Sequence, residues 1–175
     1  MSMENCKIIV SRKLTTIIVP FLFLCCVWKH GISIDMILAF ILAALLCVIA
    51  QTDGYTFFIP DELVIMAGGL GAVSIILSGA ILDHIIGFFL VSSLLFFAAV
   101  IKPGAIGGGD VKLMAATGLY LGTEGIMAAF IIGSIAACLA VAGGFTLGRL
   151  NRKSHVAMAP YYVFGIYISM FLLPL

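Results

Sequence analysis

The sequence predicts an all-α integral membrane protein: a bundle of six to seven transmembrane helices, with one short helix directly after a Gly-Gly-Gly-Asp motif. Three observations carry this. Hydrophobic residues make up 63% of the 175-residue chain, against only nine Lys and Arg and eight Asp and Glu. Mean hydropathy is +1.29, and a soluble domain of this length cannot cover so much apolar surface with so few charges. Apolar runs long enough to cross a bilayer recur along the chain, separated by short polar stretches. Lipid is therefore the solvent. The net charge of +1 is uninformative, and no basic tract suggests nucleic acid as a partner.

The first run, Leu14 to about Trp28, follows Lys7, Arg12 and Lys13 and superficially resembles a signal peptide. "LFLCCVWKHG" has no small-x-small cleavage pattern, and further apolar segments follow, so the run reads as a retained anchor. Pro20 inside it is tolerated where neighbouring helices satisfy the freed carbonyl. Residues 1–33 thus read as a cytoplasmic N-terminus with its anchor, and residues 34–175 as the membrane domain. In that domain the predicted spans are Met36 to Ala50, Leu63 to Leu82, Ile85 to Ile101, Ile126 to Leu147 and Val156 to Leu175.

Between the fourth and fifth of these six long runs lies Leu113 to Gly122, "LMAATGLYLG". At about 1.5 Å per residue it covers roughly half of a 30 Å hydrocarbon core. Charge decides whether it crosses. With seven crossings and the N-terminus inside, Lys7, Arg12, Lys13, Lys102, Lys112, Arg149, Arg152 and Lys153 all face the cytoplasm and only Lys29 lies outside. If the segment dips in and returns, the split falls to five against four. Seven crossings fit better. They bring the stretch from Asp53 to Glu62 and the loop from Lys102 to Lys112 to one face of the membrane.

Small-x-x-x-small spacings such as Gly118/Gly122 and Gly144/Gly148 read as close helix packing. The five cysteines form no CxxC pair and act as small hydrophobes in helices. His30 and His84 fall in external loops and His155 in the basic internal loop; all three read as surface residues. No set has metal-ligand spacing, so neither a metal nor another cofactor is expected.

Asp53, in "QTDGYTFFIPDEL", has two readings: an Asp-Gly turn that ends a helix, or a functional carboxylate. Asp110 suits an N-cap for the short helix. A cap does not need the three glycines Gly107, Gly108 and Gly109 before it, and these permit close approach of another backbone. Asp61 and Glu62 read as a helix start, with contact to a basic substrate segment as the second reading. The pair Asp53 and Asp110 says more than either member. Two carboxylates held close in a poorly solvated site share one proton, the arrangement that suits aspartic proteolysis.

"GGGDVKLMAATGLYLG" resembles the GxGD motif of the type IV prepilin peptidases, and "DGYTFFIPDEL" resembles that family's second signature, an aspartate followed six and seven residues later by Ile-Pro. "VAMAPYYVFGIYIS", with Pro160, is similar to the family's final segment. The resemblance runs from about residue 34 to the end. It implies a metal-free membrane aspartic endopeptidase that cleaves the short basic leader of prepilin-like or preflagellin-like proteins at the cytoplasmic face of the prokaryotic inner membrane. Asp53 and Asp110 match the catalytic pair, and Gly107, Gly109, Lys112, Ile59 and Pro60 match motif positions that shape the site. Long members carry paired CxxC motifs and also N-methylate the product. This chain lacks those pairs, so it resembles the short, peptidase-only form of tight-adherence pili or preflagellin processing. The competing reading is a small proton-coupled carrier with Asp53 and Asp110 as its relay. The internal repeat with matching broken helices that is common in carriers is not apparent.

Overall fold

The computed structural model describes residues 33–102, 104, 106–148 and 156–172. These form five helices: α1 (Ile34–Thr56), α2 (Asp61–Ser78), α3 (Ile81–Ile101), α4 (Gly108–Thr146) and α5 (Ala159–Leu172), and no strand is found among them. The first four are long and apolar enough to cross a membrane, and α5 is a shorter apolar helix. The chain is thus a multi-pass membrane protein. The expected anchor Leu14 to Trp28, His30, His155 and the basic cluster Arg149, Arg152 and Lys153 lie outside the described residues.

Local chemistry sets most helix ends. The Ser33 side chain accepts a hydrogen bond from the Met36 N–H at 3.2 Å, which caps α1. At the other end Phe57 turns into the left-handed region (φ 53°) and donates its N–H to the Asp53 carbonyl at 2.9 Å. Asp53-Gly54 therefore lies within the last turn of α1, not in a turn that ends it early. Extended Pro60 starts α2, and Gly79 (φ 70°) stops it. Asp61 is the first residue of α2 and makes no side-chain cap. The α2–α3 turn falls at Gly79 and Ala80, a few residues before the predicted break at Asp83 and His84.

Helix α4 is two rods. Gly122 has φ 69° and ψ −172°, a conformation open to glycine alone. Residues 108–121 form the first rod, about 20 Å long at roughly 1.5 Å per residue. Its Gly118 packs on Gly87 of α3, where a Cβ on either residue would meet the other's backbone. The second rod, residues 123–146, runs back. Ser169 Oγ of α5 donates to the Gly125 carbonyl at 2.6 Å, Gly165 lies against Ala129 and Gly133, and Gly133 lies against Tyr161 and Tyr162. Helix α5 is thus antiparallel to the second rod, and its first residue, Ala159, meets Asp53. Only a fold-back at Gly122 satisfies all of these contacts. The short segment therefore runs the depth of the bundle, as the crossing pattern expects.

Asp83 holds the fold-back. Both its carboxylate oxygens accept the Thr123 N–H at 3.3 Å, and Thr123 Oγ1 donates to the Asp83 carbonyl at 3.0 Å. His84, expected on a loop surface, is instead buried in the first turn of α3, with Nδ1 2.9 Å from the Leu119 carbonyl and Nε2 3.0 Å from Ser78 Oγ. The polar ends of three helices satisfy each other there, which a water-free setting requires.

The interior contains Leu42, Leu46, Ile49, Leu113, Met114, Ile126 and Ile166, all fully buried. Large apolar side chains such as Ile76, Leu82, Phe97 and Ile101 point outward. That coat matches a lipid surface, where small residues mediate helix contacts and bulky ones face the acyl chains.

Candidate active site

Asp53 and Asp110 stand at the same end of the bundle, although 57 positions separate them in sequence. Asp53 comes from the last turn of α1 and Asp110 from the first turn of α4. Both are buried, at 7% and 8% exposure, and they lie within range of direct electrostatic interaction. They line one cavity of about 520 Å³. Its other walls are Phe57 and Phe58 from the α1–α2 turn, Ile106 and the glycines before Asp110, and Val156, Ala157 and Met158 before α5.

The carboxylates are held differently. Asp53 Oδ2 accepts the Ala159 N–H at 3.1 Å. This donor is a free N–H at a helix start, where backbone donors and the helix dipole favour an anion. Asp110 is not the N-cap of its helix: Gly107 takes that position, and the Asp110 N–H donates to the Gly107 carbonyl at 3.1 Å. The Asp110 carboxylate lines the cavity, and its Oδ1 is buried without a hydrogen-bond partner among the described residues. A buried polar atom without a partner is costly in a structural role and common where a proton, water or ligand belongs.

Two motif glycines make room for this arrangement. A Cβ on Gly107 would sit 3.2 Å from Asp110 Oδ2, crowding the carboxylate. A Cβ on Gly109 would sit 3.1 Å from the Ile59 Cβ, so glycine there lets Ile59 pack directly on the start of α4. Ile59 is 5% exposed. It links the two sequence motifs, and Pro60 behind it fixes the entry into α2. Lys112 Nζ lies 2.8 and 2.9 Å from the Asp61 carboxylate oxygens, tying α4 to α2 at the rim. Glu62 is exposed beside this pair.

Of the site residues expected from the sequence, Asp53, Ile59, Asp61, Gly107, Gly109, Asp110 and Lys112 line this one cavity, while Pro60 and Glu62 flank its lining residues in sequence without lining it. Sequence reasoning missed the Ala159 N–H, and the signal for it was present. Pro160 suits the first turn of a helix, so a free N–H was due just before it.

The pattern of the type IV leader peptidase family matches residues 40–142. The chain is 29% identical over 143 residues to the prepilin leader peptidase/N-methyltransferase of Bacillus subtilis, covering 78% of this chain and 56% of that protein. It is 27% identical over 164 residues to the protein of the same name from Neisseria gonorrhoeae, covering 88% of this chain and 55% of that one. A Burkholderia pseudomallei protein, again of that name, is 27% identical over 140 residues, covering 76% of this chain and 45% of its own length. The chain thus spans about half the length of the curated relatives it matches. No solved structure matches. With the family pattern matched over a stretch that holds both aspartates and the Ile59–Pro60 pair, the chain belongs to the type IV leader peptidase family.

Proposed function

We propose that this protein is a membrane aspartic endopeptidase that cuts the short basic leader of prepilin-like or preflagellin-like proteins, with Asp53 and Asp110 as its catalytic pair. The observation that carries this reading is the buried carboxylate pair in a single cavity, one oxygen of which has no hydrogen-bond partner among the described residues. The relatives' names support the substrate class. Methyl transfer, which those names also state, is not part of the proposal.

The chemistry follows from the pair. The ionised carboxylate takes a proton from a water as its oxygen attacks the carbonyl carbon of the peptide bond. The other carboxyl group, protonated, gives its proton to the carbonyl oxygen. As the tetrahedral intermediate collapses, the C–N bond breaks, the amine leaves with a proton returned by the first aspartate, and the second aspartate takes back a hydroxyl proton as the C=O bond re-forms. The substrate must be extended, because helical carbonyls are already hydrogen-bonded and covered. Beside Asp110 the backbone is open at Gly108, where a Cβ would meet nothing within 4 Å, and this leaves space for an extended strand.

Basic residues support a cytoplasmic orientation. Lys102 and Lys112 stand at the aspartate end, and the second rod of α4 returns to that end before the stretch with Arg149, Arg152 and Lys153. The deciding experiment is cleavage of prepilin-like proteins from the same genome by the purified chain in liposomes, with Asp53→Asn and Asp110→Asn as controls. A leader cut lost in both folded variants supports the reading. A wild type that cuts nothing, or a variant that cuts at full rate, overturns it.

A further inference from the structure

Val156, Ala157 and Met158 line the carboxylate cavity just ahead of α5, partly buried and outside any regular element. The Met158 carbonyl accepts the Tyr161 and Tyr162 N–H groups at 3.1 and 3.2 Å. The carbonyls of Val156 and Ala157, and the N–H groups of all three residues, pair with no other backbone group among the described residues. Backbone donors and acceptors away from bulk water are almost always paired. In a membrane protein, irregular backbone persists only where it is buried in protein or lines a water-filled cavity. The segment leads directly to the Ala159 N–H, which donates to Asp53 Oδ2 at 3.1 Å. Asp110 lines the same cavity at 8% exposure, with Oδ1 unpartnered among the described residues.

We propose that the backbone of Val156 and Ala157 is a ledge on which the extended segment of the substrate hydrogen-bonds as an added strand, and is thereby laid beside the two carboxylates; this rests on the peptidase reading above. A peptide unwound for cleavage carries a free N–H and C=O at every residue, and strand addition satisfies them through main-chain bonds. Groups of alternate residues face a partner strand, each residue offering both its N–H and its C=O. Either Val156 or Ala157 can therefore exchange a pair of bonds with one substrate residue. The ledge stops at Met158, whose carbonyl is already taken by the first turn of α5. Three residues at roughly 3.3 Å each span about 10 Å, so the ledge holds some three residues of substrate. Because only main-chain atoms pair, it sets the register and direction of the chain at Asp53 whatever side chains the substrate carries.

The test uses the full chain in liposomes and an intact prepilin-like substrate. One substrate amide at a time, near the cleaved bond but not that bond itself, is replaced by an ester through an α-hydroxy acid incorporated during cell-free translation. The ester removes an N–H donor and keeps the side chain. KM is expected to rise about tenfold at alternate positions, the effect of one lost hydrogen bond, and little at the positions between. On the protein side, Val156→Pro and Ala157→Pro each remove one ledge N–H. Ester replacement of the same two amides does so without a ring, so a misfolded proline variant does not end the test. At one of the two positions KM is expected to rise about tenfold, with kcat and Tm close to wild type. A substrate scan without alternation, or folded protein variants at both positions that keep the wild-type KM, overturns the ledge. A wild type that cuts nothing overturns the peptidase reading itself, so the two failures are distinguishable.

Discussion

The N–H of Ala159 donates to Asp53 Oδ2 at 3.1 Å across 106 positions of sequence. This bond orients one carboxylate of the candidate pair from the start of the last helix. Ala159→Pro removes the donor at a position where helices accept proline. Misplacement of a reacting group by about 1 Å costs roughly 100-fold in rate. The variant is expected to lose 10- to 100-fold in kcat (about, by the same scale) with KM little changed, as steady-state leader cleavage would read.

On the proposed mechanism Asp110→Asn and Asp53→Asn remove the proton-transferring groups, and such groups typically contribute about 10²- to 10⁴-fold. Cleavage is expected to fall by at least the lower figure in each. Asp110→Asn is also expected to melt at or above the wild-type temperature, because it removes a carboxylate whose buried oxygen has no partner. A clear drop in Tm would mean that Asp110 is structural.

Gly109 and Ile59 form a direct contact between the two motifs, and the expected consequence is energetic coupling. Gly109→Ala places a Cβ 3.1 Å from the Ile59 Cβ, and overpacking of this kind costs about 1–3 kcal/mol. Ile59→Ala should destabilise alone yet partly rescue Gly109→Ala. A double-mutant cycle on thermal unfolding checks this; strict additivity of the two changes would refute the contact.

At the opposite end of the bundle, Gly122→Ala forces a side chain into positive φ and against the Asp83 carboxylate. It is expected to be among the most damaging single changes to folding. Asp83→Ala removes only the cap on Thr123, worth about 1 kcal/mol, and should lower Tm with kcat for leader cleavage intact.

The Asp61–Lys112 pair should contribute little to stability, since both side chains are more than half exposed, at 60% and 56%. Such pairs contribute well under about 1 kcal/mol. Lys112→Gln is expected to shift Tm barely measurably in a thermal melt. Any larger loss of cleavage than of stability would then report on the shape of the site.

The sequence by itself determined that lipid is the solvent, that the fold is all-α, and that the two aspartate motifs belong together. Composition reports solvent directly, and the alternation of spans with basic residues reports which ends meet. It did not show that Asp83 clasps the fold-back, that His84 is buried between Ser78 and Leu119, or that Ile59 rests on Gly109. Nor did it show that Gly107, rather than Asp110, caps the first rod of α4. These depend on how each helix is rotated against its neighbours. A membrane helix is apolar all round, so no amphipathic stripe marks its inward face. Its rotation is decided by where backbones approach closely, as at Gly87 and Gly118, and by which polar groups must find partners without water. Only the tertiary structure brings those partners together, and it left Asp110 Oδ1 without one.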